Sequence, residues 1–362
     1  MFNLFQNIHV DWLGKRKIFI SVSIFIMLAG LISAIGRQYT PGGTDAFNLG
    51  VDFKGGTVVT AKFRERPSDT DIRSALNGVG VADPVIQVST NKPDEALIKI
   101  PLIEGSAEPQ DQSEQNHQAQ VQAGRMLVKK ALDNFGKEAE NDTTLDSDPG
   151  TAYKIIGTDS VGAVAGSQLR NQAVTATLLG LVGILFFIAF RYDWTYAAGA
   201  VLAVFHDVLM VLSFFSIFQW EVNLTVIAAV LTIVGFSVND SIVIFDRVRE
   251  NLGVDRKGSL FTITNDSINQ TLSRTVITAG LVVLSVLSLV LFGGEVLRSF
   301  SLALLVGLVL GCYSTVAIAS PIAIWWQGKI GEGKAKDALV PQTDQKMASA
   351  SRRSVARRPV TR

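Results

Sequence analysis

The sequence predicts an α-helical polytopic membrane protein with six transmembrane helices and a ferredoxin-like α+β domain between the first and second. Three observations carry that reading. The chain is 48% hydrophobic yet only 8% aromatic, with a mean hydropathy of +0.31, which suits several spanning helices better than one large water-soluble core. Six long runs are nearly free of charge, and about 20 apolar residues cross a bilayer core. One long polar connection, residues 37–170, alternates strand-like and helix-like patterns.

The elements follow in order. Residues 1–17 end in Lys15, Arg16 and Lys17, and the first apolar run covers 18–36. Those lysines and arginine could head a signal peptide, but the run exceeds the usual ~7–15 residues of such a core, so an uncleaved span is expected. In the connection, Gly55 and Gly56 introduce the β-rich TVVTAKF (57–63), and a helix starts at Ser68. The strands VIQVST (85–90) and ALIKI (96–100) flank a turn, NKPDE. A polar insert (104–120) has no role legible in it and leads into an amphipathic helix near 121–135. There Val121, Leu127, Val128, Leu132 and Phe135 tend to one face. YKIIGTDSVG (153–162) is the last strand, completing a β-α-β-β-α-β order. Five further runs form a bundle over 171–328: 171–190, 194–220, 222–245, 275–294 and 299–328. A basic tail, 329–362, follows.

Basic residues orient the bundle. Lys15 to Lys17, Arg191, Arg247, Arg249, Arg256, Lys257 and the tail fall on one side, against Arg298 in the opposite short loops. Both termini are therefore expected in the cytoplasm, with the 37–170 domain on the exoplasmic side. The tail reads as a solvated disordered segment or a binder of anionic membrane lipid.

Motifs exclude several classes of chemistry. There is no HExxH, and His9, His117 and His206 are too dispersed for a local metal cluster. The stretch GVDRKGS (253–259) has P-loop glycine spacing without its lysine, and the single Cys312 rules out an internal disulfide. No cofactor, metal, nucleotide hydrolysis or nucleic-acid partner is expected, and the chain does not read as an enzyme.

Polar residues inside the apolar runs line up at helical spacing. In the fourth run Ser237, Asp240 and Arg247 share one face, flanked by Thr225, Thr232 and Asn239. The fifth carries Arg274, Thr278, Ser285 and Ser288; the third carries Gly199, His206 and Ser213, with Asp207 beside the histidine. Because exposing such groups to lipid is costly, these seams should face each other or a hydrated path. Asp240 lies six residues before Asp246, about 9 Å inside the expected helix end. Each has a plainer alternative: Arg274 snorkelling to the interface, His206 and Asp207 as a packing pair, Asp240 in a structural salt bridge with Arg274. Ala303, Gly307 and Gly311 in the sixth run signal close helix packing with no chemistry implied.

Four stretches carry a resemblance: NLGVDFKGGT (48–57), FHD (205–207), VGFSVNDSIVIFDRVRENL (234–252) and SINQTLSRTVITAG (267–280). Together they resemble the SecF family of the resistance-nodulation-division superfamily, over essentially everything from Lys15 to about Gln327. The resemblance implies an accessory subunit of the Sec preprotein translocase in the bacterial inner membrane. With SecD, as a heterodimer, it would use the proton motive force to promote export after SecA and the SecYEG channel have begun it. YajC and YidC are further candidate partners, and unfolded preprotein would be met on the exoplasmic side. By position, Asp240 becomes the proton-carrying acid and Arg274 its charge partner, with Asn239, His206 and Asp207 in the same proton-coupling group. Asp52 in VDFKGG is expected to shape a turn. A proton-coupled small-molecule exporter half of the same superfamily, or a non-transporting assembly factor, are the alternatives.

Overall fold

The computed structural model describes residues 9–40, 45–81, 84–89, 92–101, 114–139, 145, 148–191, 194–255 and 258–330. The basic tail beyond Ile330 and most of the polar insert lie outside them.

The chain enters along an asparagine ladder. Asn265 and Asn269, one turn apart on a later helix, accept from the Val10 and Trp12 N–H groups at 3.2 and 3.0 Å and return amide bonds to the Val10 carbonyl. Helix α1 (Arg16–Tyr39) follows, long and apolar enough to cross a membrane. Only Ser23 and Gly30 are buried along it; a Cβ on Gly30 would lie 2.4 Å from Ser213 of α6, so this glycine sets how closely the two helices approach.

A short helix α2 (Val51–Lys54) precedes the sheet domain: β1 (Gly56–Phe63), α3 (Asp69–Gly78), β2 (Val85–Ser89), β3 (Lys92–Ile100), α4 (Glu114–Leu132), β4 (Lys137–Glu138) and β5 (Thr151–Val161). The strand order is β2-β3-β1-β5-β4; β1 pairs antiparallel with both β3 and β5, as the split βαβ order expects, and the two-residue β4 adds a parallel edge to β5. Helix α3 starts where Ser68 caps the Asp71 N–H at 3.2 Å. Both helices cover one face of the sheet, where Val59, Ala61, Phe63, Ile72, Leu76, Ile98, Val128, Leu132 and Tyr153 pack. Burial, with Asp133 accepting from its hydroxyl, pushes the Tyr153 phenol well above its ordinary value. Two boundaries differ from expectation. Lys92 to Glu95, read as turn, belong to β3, and α4 begins at Glu114, inside the polar insert.

Gly56 shows why the double glycine is there. Its φ is +140°, and a Cβ would sit 2.4 Å from the Ile100 carbonyl oxygen, so no L side chain fits where β1 meets the end of β3.

The bundle continues with α5 (Ala163–Arg191), α6 (Trp194–Phe218), α7 (Leu224–Val254), α8 (Leu260–Phe292), α9 (Gly294–Ser314), a π turn (Thr315–Ala319) and α10 (Ser320–Ile330). The expected loop over 247–274 is instead largely two helical extensions: α7 runs on past Asp246 to Val254, and α8 starts at Leu260. Arg247 to Gln270 at 2.5 Å and Asn251 to Ser267 at 2.8 Å brace the pair, which is why polar sequence stays helical there. Asp240 therefore lies two further turns from its helix end than the sequence suggested. The last span is also broken. Pro321 lacks an N–H, the ladder widens to π geometry over Thr315–Ala319, and Ser320 Oγ donates to the Thr315 carbonyl at 3.0 Å. Counting α9 to α10 as one, six helices among the described residues are long and apolar enough to cross a membrane.

Candidate functional site

Two acids on neighbouring helices dominate the bundle, and the structure treats them differently. Asp207 on α6 is 1% exposed. Its Oδ1 pairs with His206 Nδ1 at 3.0 Å, and its Oδ2 accepts from Ser237 Oγ of α7 at 2.7 Å and Ser314 Oγ of α9 at 2.8 Å. The other imidazole nitrogen of His206 meets the Tyr313 hydroxyl at 3.3 Å, which in turn bonds Ser23 of α1. The result is a closed polar chain through α1, α6, α7 and α9, with each carboxylate oxygen engaged. Gly311 packs beside it: a Cβ there would lie 3.6 Å from Asp207 Oδ2, in ordinary contact.

Asp240 lies three residues beyond Ser237 on α7 and is half-buried. Its carboxyl lines a cavity of about 70 Å³ together with Asn239, Thr278, Gly307 and Cys312. The Thr275 hydroxyl, buried, and the Arg274 guanidinium of α8 lie beside it. Arg274 itself is exposed, and no ion pair joins it to Asp240 among the described residues. The structural salt bridge weighed as the plainer alternative for Asp240 is thus not formed within this chain.

The polar stripe of α8 is likewise turned outward: Arg274, Thr278, Ser285 and Ser288 are all exposed, as are Thr232 and Asn239 of α7. Thr278 and Ser285 satisfy their hydroxyls on carbonyls one turn back, at 2.9 and 3.1 Å, the arrangement that lets such residues survive in an apolar setting. The three seams therefore do not close on one another. That of α6 faces inward, that of α7 is split between Ser237 and Asp240, and that of α8 faces away from the chain. Asp52 is structural, as expected, through a different bond: its Oδ2 accepts the Leu224 N–H at 2.8 Å and caps α7 alongside Asn223.

Sequence reasoning missed Ser23, Ser314 and Tyr313. A tyrosine and two serines in long apolar runs look like ordinary packing residues, and only the helix register against α6 brings them to the acid. It also treated the small-residue face of α9 as chemically silent, whereas Gly311 on that face packs beside the Asp207 network. Between α1, α8 and α9 lies a second, apolar cavity of about 350 Å³, lined by Trp12, Phe19, Val283, Val309 and Tyr313. Among the described residues no cluster of metal-ligating side chains occurs.

Comparison with known proteins places these features in a family. Residues 142–329 match the model for protein export membrane protein SecD/SecF, C-terminal, and residues 43–65 match the SecD/SecF GG motif. The chain is 38% identical to the protein translocase subunit SecF of Koribacter versatilis, over 90% of this chain and 93% of that one. It is 35% identical to SecF of Pseudomonas aeruginosa, over 87% and 91%. The crystal structure of SecDF, a translocon-associated membrane protein from Thermus thermophilus, aligns at a TM-score of 0.69 with 31% identity over 89% of this chain. This chain spans 39% of that one, and 41% of SecDF in its super-membrane-facing form, where the TM-score is 0.61. The GG motif is the glycine pair whose backbone only glycine can adopt, and the longer match takes in every residue of the Asp207 and Asp240 sites except Ser23. The chain belongs to the SecF family of protein translocase membrane subunits.

Proposed function

We propose that this chain works as one half of a SecD–SecF unit in the inner membrane, both termini cytoplasmic, and that it uses the proton gradient to promote export of preproteins after SecA-driven translocation through the SecYEG channel. Asp240 is the acid that takes up and releases the proton, and Arg274 is its charge partner. One observation carries the reading: a half-buried carboxyl within a span lines a cavity beside an exposed arginine and an exposed polar stripe, none of it closed by this chain. Exposing that stripe to lipid is costly, and a second half seated against α7 and α8 would cover it.

Protonation neutralises Asp240 and releases Arg274; deprotonation draws the two together, so each proton alternates the packing of α7 against α8. One proton crossing supplies about 2.3 kcal/mol per 100 mV, enough to shift such an equilibrium roughly fiftyfold at 100 mV. His206 and Asp207 serve this cycle as the fixed wall behind it.

The test is export into inside-out vesicles carrying the full complex, with and without an imposed proton gradient. Asp240→Asn and Arg274→Met are expected to assemble normally and lose the gradient-dependent increment. A full response from Asp240→Asn would make the acid a structural group and end the proposal.

A further inference from the structure

The turn that joins α6 to α7 contains no slack. Gln219 has φ +54°, the one non-glycine residue with positive φ among those described. Its side chain donates to the carbonyls of Ser216 at 2.8 Å and Ala46 at 3.4 Å, while Asn48 Nδ2 donates to the Gln219 carbonyl at 3.1 Å. The Trp220 ring stacks on Phe218, centroids 5.2 Å apart. Val222 exchanges backbone bonds with Asn48 and Gly50 at 2.7 and 2.8 Å, a one-residue strand added to the segment before α2. Asn223 caps α7, and Leu224 donates to Asp52.

Glu221 completes the joint. Its Oε2 receives Lys99 Nζ of β3 and Gln87 Nε2 of β2, the latter at 3.0 Å. The two charged side chains are only 13% and 11% exposed. A Cβ on Gly50 would lie 2.5 Å from Glu221 Oε1, so the glycine leaves the carboxylate its space. Lys99 sits on the sheet face away from the α3 and α4 helices, in register between Val58 of β1 and Val85 of β2. A shielded ion pair thus fixes the middle of the sheet to the turn between the two spans that carry Asp207 and Asp240.

From this geometry we infer that Glu221 and Lys99 are a positioning pair, the link through which movement of α6 and α7 is delivered to the sheet domain. The inference rests on the proton-coupled reading above. A strained glutamine, a backbone bridge, a capped helix start and a shielded charge pair leave the five residues of the turn no way to absorb a shift of α7. Asp240 stands sixteen residues along α7 from Leu224, about 24 Å, and a straight helix carries a displacement over that length. Cutting the pair leaves the proton site whole and uncouples its output.

Export in vesicles holding the full complex tests this through two separate quantities, basal export and the increment added by the gradient. Glu221→Lys and Lys99→Glu should each keep membrane levels and basal export and lose about fivefold of the increment, the low end of measured couplings. The double swap, Glu221→Lys with Lys99→Glu, should recover most of it, and Glu221→Gln, which keeps an acceptor for Lys99 and Gln87, should lose less than Glu221→Lys. Unchanged increments in the single variants overturn the inference, as does a double swap that recovers nothing. If basal export and membrane level fall in step with the increment, the pair merely holds the fold and the inference is again overturned. Asp240→Asn is run alongside: if it loses the increment while Glu221→Lys does not, only this inference fails, and if it keeps the increment the proton reading falls and takes this one with it.

Discussion

Asp207 and Asp240 lie on neighbouring helices of the same bundle, yet one is fully bonded within the chain and the other is not. Asp207 has each oxygen occupied by groups of its own chain, on three helices. Asp240, one turn along α7 from a residue of that network, borders a cavity and a stripe of exposed polar residues. A buried carboxylate with a full complement of donors rigidifies what surrounds it. One whose partner is held apart keeps the freedom to change its charge and its contacts. The pairing of a fixed acid with an open one, on helices that share a clamped turn, is what a device driven by protonation needs.

Substitutions can break or sharpen that contrast. The largest effect is expected from Asp207→Leu, which strips the acceptor from His206, Ser237 and Ser314. At ~0.6 to 1.7 kcal/mol for each hydrogen bond within a membrane, unfolding in lipid should show a loss of about 2–5 kcal/mol. Gly307→Val comes next. A Cβ at this position lies 2.2 Å from Ile233 Cδ1, with two more atoms of the same side chain within 3.0 Å, so the α7–α9 seam must part, at about 1–3 kcal/mol. Tyr313→Phe removes the bridge from His206 to Ser23 and should cost about 1 kcal/mol by the same assay. Asp240→Asn should be the mildest, under about 0.5 kcal/mol in the isolated chain, since an amide oxygen can still accept from the Thr275 hydroxyl beside it and Arg274 forms no ion pair with it. If it proved as destabilising as Asp207→Leu, the distinction between the two acids would vanish.

The spans were legible because each is a long run of apolar residues, and the sheet domain because VVTAKF and ALIKI alternate as strands that bury one face do. The glycine pair and the VND and SRT stretches carried the family resemblance. Helix ends were harder to read. Residues 247–274 are polar, and nothing local says that Arg247 and Asn251 will brace Gln270 and Ser267 across two helices. The inward network was illegible for a related reason: periodicity sorts residues onto faces of one helix but does not say which face meets which. Hence Ser237 and Asp240, alike in the sequence, went to a closed network and an open cavity, and the stripe from Arg274 to Ser288 pointed out of the chain instead of into it. The connector at 219–224 offers no motif; its rigidity comes from Asn48, Asp52, Gln87 and Lys99, all more than a hundred residues away.

The most direct test compares the two acids in one spectrum. Infrared difference spectra of the complex in lipid, recorded across a pH step, report carboxyl groups that gain or lose a proton through the band of the protonated acid. The account predicts that a band present in the unmodified protein disappears in Asp240→Asn and persists in Asp207→Asn. Loss of the band in Asp207→Asn with its retention in Asp240→Asn would show that the closed network, not the open cavity, exchanges the proton, and would contradict the assignment of the two sites.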